Sequence, residues 1–393
     1  MPTPHSAASA LVRAPWREPL GSAGGRSSSP AATSASAASL ANRSSRAEVA
    51  AVQLVDPLVE PLWDEQVSAH PDVTLFHCAA WAAVLADTYG QKPVYLAIAP
   101  PGSPAAWLPV MEVDSWWTGR RGVALPFTDY LAPLASGPAA FAEVFHEALR
   151  VGRDRHWRSF ECRGGAEWLS QAPPSLVFYR HALELTAKTD RLFSRFDAAV
   201  RRAVRKAERS QVSVEPSDTP DAIATYYALH CRTRRKHGLP PQPFAFFRNI
   251  QRHVIGRGAG RVFIARQGDR PVAGAVFLHS GKRAHFKFGA SDASAQHLRP
   301  SNLVMWRAIQ WHADQGFTTM DFGRTSVAHE GLRRFKLGWG ATETTTAYVR
   351  YDLRKESFVI ERDRADGWYN RVFSLMPLRA LKWVGARLYP HLA

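Results

Sequence analysis

The stretch that decides the fold runs from Lys282 to Gly340 and reads KRAHFKFGASDASAQHLRPSNLVMWRAIQWHADQGFTTMDFGRTSVAHEGLRRFKLGWG. Its pattern predicts an apolar strand up to Gly289, a polar loop, a helix of about four turns, and a short strand from Thr318 to Phe322. A strand, a helix and a second strand in this order are typical of a crossover unit whose helix packs on one face of a sheet.

Sequence signals flank the predicted helix. Pro300 sits just before it, and Ser301 or Asn302 can supply the capping side chain. Gly316 suits the left-handed conformation that often ends a helix. Apolar side chains cover so much of the helix that we expect it to be largely buried. These side chains are Leu303, Val304, Trp306, Ile309 and Ala313.

Charged side chains gather at the predicted strands. Arg324 lies in a predicted turn (residues 323–325) directly after the second strand, where it would suit a phosphate or a carboxylate. Asp321 is a candidate base, although we favour a role in orienting Arg324. His285 and Lys287 alternate and therefore share one face of their strand. His285 is a candidate general base, but a structural histidine satisfied within the strand is the favoured alternative.

The same stretch resembles a known family. The segments Pro-Ser-Asn-Leu, Trp-Arg-Ala-Ile, Asp-Phe-Gly-Arg and Phe-Lys-Leu-Gly-Trp-Gly are similar to the Fem-type and CelD-like branch of the GNAT acyltransferase superfamily. The resemblance spans roughly residues 55–350 and is strongest over 193–351. It implies direct transfer of an acyl or aminoacyl group to an amine or hydroxyl of a cell-envelope or polysaccharide precursor. The alternatives are a coenzyme A-dependent N-acetyltransferase and a non-catalytic protein that binds RNA or a membrane surface.

The resemblance also implies an α/β (α+β) fold with two tandem GNAT-like (acyl-CoA N-acyltransferase) domains and mixed central sheets. A weak internal repeat agrees, because FIARQGDRPVAG from Phe263 is similar to AIAPPGSPAAW from Ala97. We therefore predict a disordered Ala/Ser/Arg-rich leader (1–48), an N-terminal GNAT-like domain (49–185), a catalytic GNAT-like domain (186–352) and a basic amphipathic tail (353–393). For the leader, a transit peptide and a start codon assigned too early remain alternatives.

The donor is left open by the loop before the helix. In the GNAT family a glycine-containing loop holds the pyrophosphate of coenzyme A through backbone N–H groups. Here the loop reads QHLRPSN, without glycine and with a proline that removes one N–H group. The donor substrate is therefore acyl-CoA or aminoacyl-tRNA, and neither a permanently bound cofactor nor a metal is expected. Arg299, Ser301, Asn302, Arg324 and Lys287 are the expected donor and substrate contacts.

Lys336 is the leading catalytic candidate. It matches the lysine of the Phe-Lys-x-x-Trp-Gly motif, and the resemblance implies that its ammonium stabilises the developing oxyanion. The alternative is a surface lysine that contacts phosphate. With Asp321 and His285 it completes the expected catalytic set.

Composition indicates an anionic partner. The formal net charge is +16, supplied mostly by arginine, which favours nucleic acid, a phosphate-bearing substrate or an acidic membrane. An arginine-rich solvated surface is the alternative. Cys78, Cys162 and Cys231 are scattered and lack zinc-site spacing, which predicts reduced core residues of a cytoplasmic protein.

Two further segments leave alternatives open. The basic segment 186–209 has apolar residues at helical spacing, so it is either a solvated amphipathic helix or an anion-binding face for RNA or a phosphorylated acceptor. The tail either packs as a helix on the body of the protein, which we favour, or lies on the inner face of the membrane.

A polar triplet interrupts the apolar pattern of the first half. Thr128-Asp129-Tyr130 follows a predicted strand from Gly122 to Phe127. We favour a turn in which the aspartate caps the backbone. The alternative is a loop of the acceptor pocket.

Overall fold

The computed structural model of the chain describes residues 52–98, 106–169, 172–361 and 369–392. The predicted disordered leader (1–48) lies outside the described residues. In the first half, the strands are β1 (Gln53–Val55), β2 (Lys92–Pro93), β3 (Tyr95–Ile98), β4 (Ala106–Leu108), β5 (Met111–Val113), β6 (Arg121–Ala124), β7 (Leu134–Ala135), β8 (Ser159–Cys162) and β9 (Leu176–Glu184). The α-helices there are α1 (Trp63–Ser68), α2 (Ala79–Tyr89) and α3 (Pro138–Asp154).

The second half contains longer strands and more helices. Its strands are β10 (Val212–Ser217), β11 (Gly260–Gln267), β12 (Arg270–Ser280), β13 (Arg283–Ser291), β14 (Thr319–Ser326), β15 (Thr342–Asp352) and β16 (Ser357–Phe358). Its helices are α4 (Thr189–Arg195), α5 (Ala198–Arg209), α6 (Pro220–Lys236), α7 (Phe244–His253), α8 (Pro300–Asp314), α9 (Glu330–Leu337), α10 (Tyr369–Leu375) and α11 (Leu378–Leu388).

Two sheets organise the described residues. The larger has the strand order β10-β11-β12-β13-β14-β9-β15-β8-β6-β5-β2, with β16 paired to β15, and the smaller has the order β1-β3-β4-β7. In the larger sheet, β13 pairs with β14 and β6 pairs with β8 in parallel, while neighbouring pairs such as β12–β13 and β9–β15 are antiparallel. The predicted α/β fold with mixed sheets is confirmed.

The two parallel pairs share one construction. α3 lies between β6 and β8 in the sequence, and α8 lies between β13 and β14. Each half of the chain therefore contains one strand–helix–strand crossover, in keeping with the predicted internal duplication. Because β9 lies between β14 and β15, one sheet runs through both halves. The domain boundary at residues 185 and 186 stays a prediction.

The crossover helix α8 is buried as expected, but it starts differently. Its predicted apolar residues are all in the core, and Gly316 follows its end with a φ of 77°. The helix begins at Pro300, with Arg299 as its N-cap at a φ of 61° and without a capping side chain. The predicted cap by Ser301 or Asn302 is wrong, because the earlier start puts both residues inside the first turn.

The predicted turn at residues 323–325 is also wrong, because β14 continues through it. The pairing of β14 with β9 shifts register between Asp321 and Arg324, and Gly323 has a φ of 70°. This is a β-bulge, in which the extra residue takes a backbone conformation that favours glycine. The bulge turns Arg324 relative to the preceding part of the strand.

The basic segment 186–209 contains two helices, α4 and α5, where the sequence predicted one. Between them, the backbone N–H of Asp197 donates to the carbonyl of Gly338 at 2.9 Å. Phe196 is buried, with its ring centroid 5.5 Å from that of Trp306 and 5.2 Å from that of Trp339. The predicted apolar stripe of α5 is buried at Val200, Val204 and Ala207.

The described part of the tail packs on the body of the protein, as favoured from the sequence. The Tyr389 hydroxyl donates to the Pro240 carbonyl at 3.2 Å and accepts from Arg234 at 2.8 Å. A Cβ atom added to Gly385 would lie 2.0 Å from the carbonyl oxygen of Pro241, so the helix backbone is in close contact there. Within the described ranges, no helix is both long and apolar enough to cross a membrane.

Candidate functional site

The site is built where two parallel strands separate. β13 and β14 pair only where Arg283–His285 lie beside Thr319–Asp321. β13 continues to Ser291 and β14 to Ser326, so the strands diverge and leave a cleft between them. Side chains of both strands and of the loop after β6 line this cleft.

The carboxylate of Asp129 is the centre of a charged cluster. Its Oδ2 accepts a hydrogen bond from Nζ of Lys287 at 3.1 Å and lies 3.2 Å from Nε2 of His285. Nε of Arg324 lies 3.9 Å from Oδ1. The Tyr348 hydroxyl donates to the backbone carbonyl of Asp129 at 2.6 Å. Three residues predicted for the site thus meet at an aspartate for which the turn was the favoured interpretation.

Electrostatics keep the Asp129 carboxylate charged. Burial would raise the pKa of Asp129, but Lys287, His285 and Arg324 outweigh that effect and hold the pKa well below its usual value. Burial lowers the pKa of Lys287, whose side chain is only 4% exposed, and the charge of Asp129 opposes that change. Each charge therefore depends on the other, and the ion pair fixes the loop after β6 onto β13.

His285 lies between two carboxylates. Besides its contact with Asp129, its Nδ1 lies 3.7 Å from Oδ1 of Asp321. Asp321 accepts a hydrogen bond from Nη2 of Arg180 at 2.6 Å and from the backbone N–H of Gly323 at 2.6 Å. Burial would raise the pKa of Asp321, but His285 and Arg180 lower it. The expectation that Asp321 orients Arg324 is wrong, because the bulge carries Arg324 towards Asp129.

Lys336 is buried behind the bulge. Its side chain is 2% exposed, so the alternative of a surface lysine is wrong. Nζ donates to the carbonyl oxygens of Gly323 and Arg324, at 2.8 and 2.9 Å. Burial lowers its pKa to about 8, against the opposing charges of Asp129 and Asp321. An ammonium has three N–H groups, so one remains for a further acceptor.

A basic cavity of about 510 Å³ opens beside the cluster. Arg324 lines it, with its guanidinium 4.3 Å from the centroid of the Phe178 ring. Four Lys and Arg side chains line the cavity against one carboxylate, that of Asp129. The cations are Arg163, Arg234, Lys287 and Arg324. Such a lining suits an anionic ligand.

A second cavity, of about 320 Å³, lies at the start of α8. It is lined by uncharged residues, among them Ser301, Val304 and Phe335, and it shares Thr233 and Gly289 with the basic cavity. Arg299 and Asn302, predicted with Ser301 as donor contacts, flank Ser301 in the sequence but do not line this cavity. The two cavities therefore adjoin at the diverging strands.

Sequence reasoning missed several residues of this site. Asp129, Arg163 and Arg180 belong to the first half of the chain. Asp129 follows β6, Arg163 follows β8, and Arg180 lies on β9, which pairs with β14. Asp129 accepts from Lys287 of β13, and Arg180 donates to Asp321 of β14. The Thr128-Asp129-Tyr130 triplet was the available signal. The Asp129 side chain is 24% exposed, and its carboxylate accepts from Lys287 on a distant strand, a contact that the favoured turn did not predict.

The cysteines lie outside the cluster and are free thiols. Burial raises the pKa of Cys78 and of Cys162 to about 12, so both are protonated at neutral pH. Among the residues the structure describes, no group of three or more His, Cys, Asp or Glu side chains is arranged to hold a metal ion.

The comparisons with known proteins agree with this architecture. Residues 194–343 match the family model of the acetyltransferase (GNAT) domain. This range includes β13, α8, β14 and Lys336, which form one side of the cleft. Over these residues the chain is therefore similar to a GNAT acetyltransferase domain.

Two individual proteins are also similar to the chain. A Lipid II:glycine glycyltransferase of Staphylococcus saprophyticus is 29% identical over 75 residues, which is 18% of this chain and 18% of that relative. The crystal structure of FemX matches with a TM-score of 0.61 and 14% identity, over 78% of this chain and 98% of FemX. The likeness to FemX is one of fold, and the predicted tandem GNAT-like fold is confirmed.

Proposed function

We propose that this protein transfers an acyl or aminoacyl group directly from its donor to an amine or hydroxyl of a cell-envelope or polysaccharide precursor. The observation that carries the proposal is the pair of adjoining cavities at the diverging strands. The cavity at the start of α8 is lined by uncharged residues, and the other cavity is the basic one. A donor in the first and an acceptor in the second would meet at Gly289 and Thr233, which line both.

The charged cluster supplies the groups that direct transfer needs. His285, held by Asp129 and Asp321, is the proposed general base. It lines a third cavity, of about 260 Å³, which shares Asp129 with the basic cavity. Lys336, with one N–H group left after its two carbonyl contacts, is the proposed stabiliser of the oxyanion. With pKa values raised to about 12, the thiols of Cys78 and Cys162 stay protonated, which makes a covalent thioester intermediate on either of them unfavourable.

An envelope precursor is proposed as acceptor on two grounds. The basic cavity suits the phosphate or carboxylate groups of such molecules. The curated relative is named as a glycyltransferase acting on lipid II. A cytoplasmic enzyme at the inner face of the membrane would meet such precursors.

Both donors remain candidates. The GNAT family model favours acyl-CoA, while the glycyltransferase relative favours an aminoacyl donor such as aminoacyl-tRNA. A coenzyme A-dependent N-acetyltransferase is the second candidate function, supported by the uncharged cavity at the start of α8. The ordered cluster and its ion pairs argue against a non-catalytic binding protein.

The proposal is tested by thermal-shift measurements with acetyl-coenzyme A, coenzyme A and tRNA. A ligand that binds only the folded protein raises its Tm by mass action. Stabilisation by either coenzyme A species would favour the acetyltransferase. A shift with tRNA alone, lost steeply with salt, would favour aminoacyl transfer. If none of the three ligands raises the Tm and no transfer to amine acceptors is detected, the proposed catalysis is contradicted.

A further inference from the structure

The end of the chain presents an unusual surface. Between Tyr369 and Leu392 the sequence has four basic side chains and no aspartate or glutamate. The basic residues are Arg371, Arg379, Lys382 and Arg387. Leu375 is 86% exposed and Trp383 is 63% exposed, although both are large apolar residues. A segment that combines exposed aromatic and aliphatic groups with cations, and lacks acids, differs from an ordinary solvated helix.

One face of α11 packs on the body of the protein, so the opposite face points to solvent. Leu381 and Gly385 are buried, and Tyr389 bonds Pro240 and Arg234. The outer face carries Arg379, Trp383 and Arg387 at four-residue spacing, so the three side chains form one row along the helix. The Arg387 guanidinium lies 5.7 Å from the centroid of the Trp383 ring.

A pair of exposed tryptophans adjoins the end of this helix. Trp116 and Trp117, in the connection between β5 and β6, are 85% and 57% exposed. The Trp116 ring lies 5.6 Å from that of His391, and Arg121 donates to the His391 carbonyl at 2.7 Å. The Trp-Arg face, as we name it, is therefore continuous across two distant parts of the chain. Its members are Trp116, Trp117, Leu375, Arg379, Trp383 and Arg387.

We propose that the Trp-Arg face docks on the surface of a bilayer that contains anionic lipids. Tryptophan rings prefer the interface between headgroups and acyl chains, where one edge is apolar and the other is wet. Arginines beside them attract anionic headgroups, and the absence of acids from residues 369–392 removes the opposing repulsion within that segment. An anionic, partly apolar surface therefore complements this row of cations and aromatic rings in charge and polarity.

This inference goes beyond the transfer chemistry and does not depend on it. It does bear on access to the site, because Arg234 both lines the basic cavity and bonds Tyr389 of the docked tail. Docking through the Trp-Arg face would hold that cavity close to the headgroup plane. An acceptor carried on a membrane lipid would then reach the cavity without leaving the bilayer.

The test is flotation of the full-length protein with vesicles of phosphatidylcholine alone or mixed with phosphatidylglycerol. We expect binding only to the anionic vesicles. Arg379→Gln with Arg387→Gln should weaken it about thirtyfold, since each cation near such a surface contributes roughly a factor of five. Trp383→Ser should weaken it about tenfold.

Matched controls carry the same chemical changes elsewhere. Arg202→Gln with Arg209→Gln removes two exposed charges from α5, and Val59→Ser removes an exposed apolar side chain. Neither should change binding more than twofold. Equal binding to both vesicle types, or an equal loss in the control pair, would overturn the proposal. The proposal would also be overturned if the protein did not bind vesicles but bound tRNA in a way that depends on Arg379 and Arg387. Absence of acyl transfer would leave these outcomes unaffected.

Discussion

At the scale of single residues, variants of the ion pair between Asp129 and Lys287 show whether this pair serves stability, catalysis or both. Asp129→Asn leaves a buried ammonium without its counter-charge, which we expect to destabilise the fold by about 3 kcal/mol. Urea unfolding of this variant measures the loss. Asp114→Asn is the control, because it breaks an exposed pair with Arg120 and should cost less than about 0.5 kcal/mol.

The double variant Asp129→Asn with Lys287→Met completes that experiment. Removing both charges should restore most of the stability, since no unpaired charge remains buried. Transfer activity should not return, because His285 would lack the carboxylate at 3.2 Å and the basic cavity would lose a cation. Recovery of activity together with stability would show that the pair is purely structural.

Lys336 makes a prediction about pH. Its pKa is lowered to about 8, so its ammonium is present below that pH and is lost as the pH rises through it. If the ammonium stabilises the oxyanion, kcat should fall above about pH 8. Lys336→Met should lower kcat by about a hundredfold and remove this falling limb. Lys206→Met, at an exposed position on α5, is the control. A falling limb that persists in Lys336→Met would assign it to another group.

At the scale of elements, the bulge in β14 can be tested with two glycines of similar backbone conformation. Gly323 has a φ of 70° and Gly316 a φ of 77°. A Cβ atom at Gly323 would lie 2.9 Å from Oδ2 of Asp129, whereas one at Gly316 would meet nothing within 4 Å. Alanine at either site costs about 1–2 kcal/mol in backbone strain. Only Gly323→Ala should also displace Asp129.

We therefore expect Gly323→Ala to reduce transfer at least tenfold, measured as kcat/KM at a temperature where both variants are folded. Gly316→Ala should unfold at a lower urea concentration but retain its activity. Equal activity of the two variants would mean that the bulge does not hold the cluster in its working geometry.

The features of helices and strands that depend on nearby residues in the sequence were predicted well. The alternation of His285 and Lys287 put them on one face, and both do contact Asp129. The bulge in β14 was missed because Asp-Phe-Gly-Arg allows either a turn or a strand. The choice depends on β9, which pairs with β14 on both sides of the bulge.

At the scale of the whole molecule, the contacts between the two halves of the chain could not be predicted from the sequence. The cleft brings Asp129, Arg163 and Arg180 of the first half to Lys287 and Arg324 of the second. Periodicity reports which face of a strand is buried, but it does not report which strands become neighbours. The insertion of β9 between β14 and β15 follows from packing of the complete chain.

Four buried histidines predict how the whole fold responds to acid. His279 and His312 contact each other at 2.8 Å between their Nε2 atoms. Burial lowers the pKa of His279 to about 4 and that of His312 to about 3. It also lowers that of His77 to about 4 and that of His230 to about 3. All four are therefore neutral in the folded protein at pH 5.

The sign of the effect follows from proton uptake. Unfolded histidines take up protons as the pH falls through about 6.5, whereas these four folded ones do not until about pH 4 or below. The free energy of unfolding should therefore fall between pH 6.5 and 4, by up to about 1.4 kcal/mol per pH unit for each histidine. Urea titrations across that range measure the slope. Replacing His279 and His312 together by leucine should reduce the slope of the free energy of unfolding against pH by about half. If the unsubstituted protein were equally stable from pH 7 to 5, the burial of neutral imidazoles would not control its stability in acid.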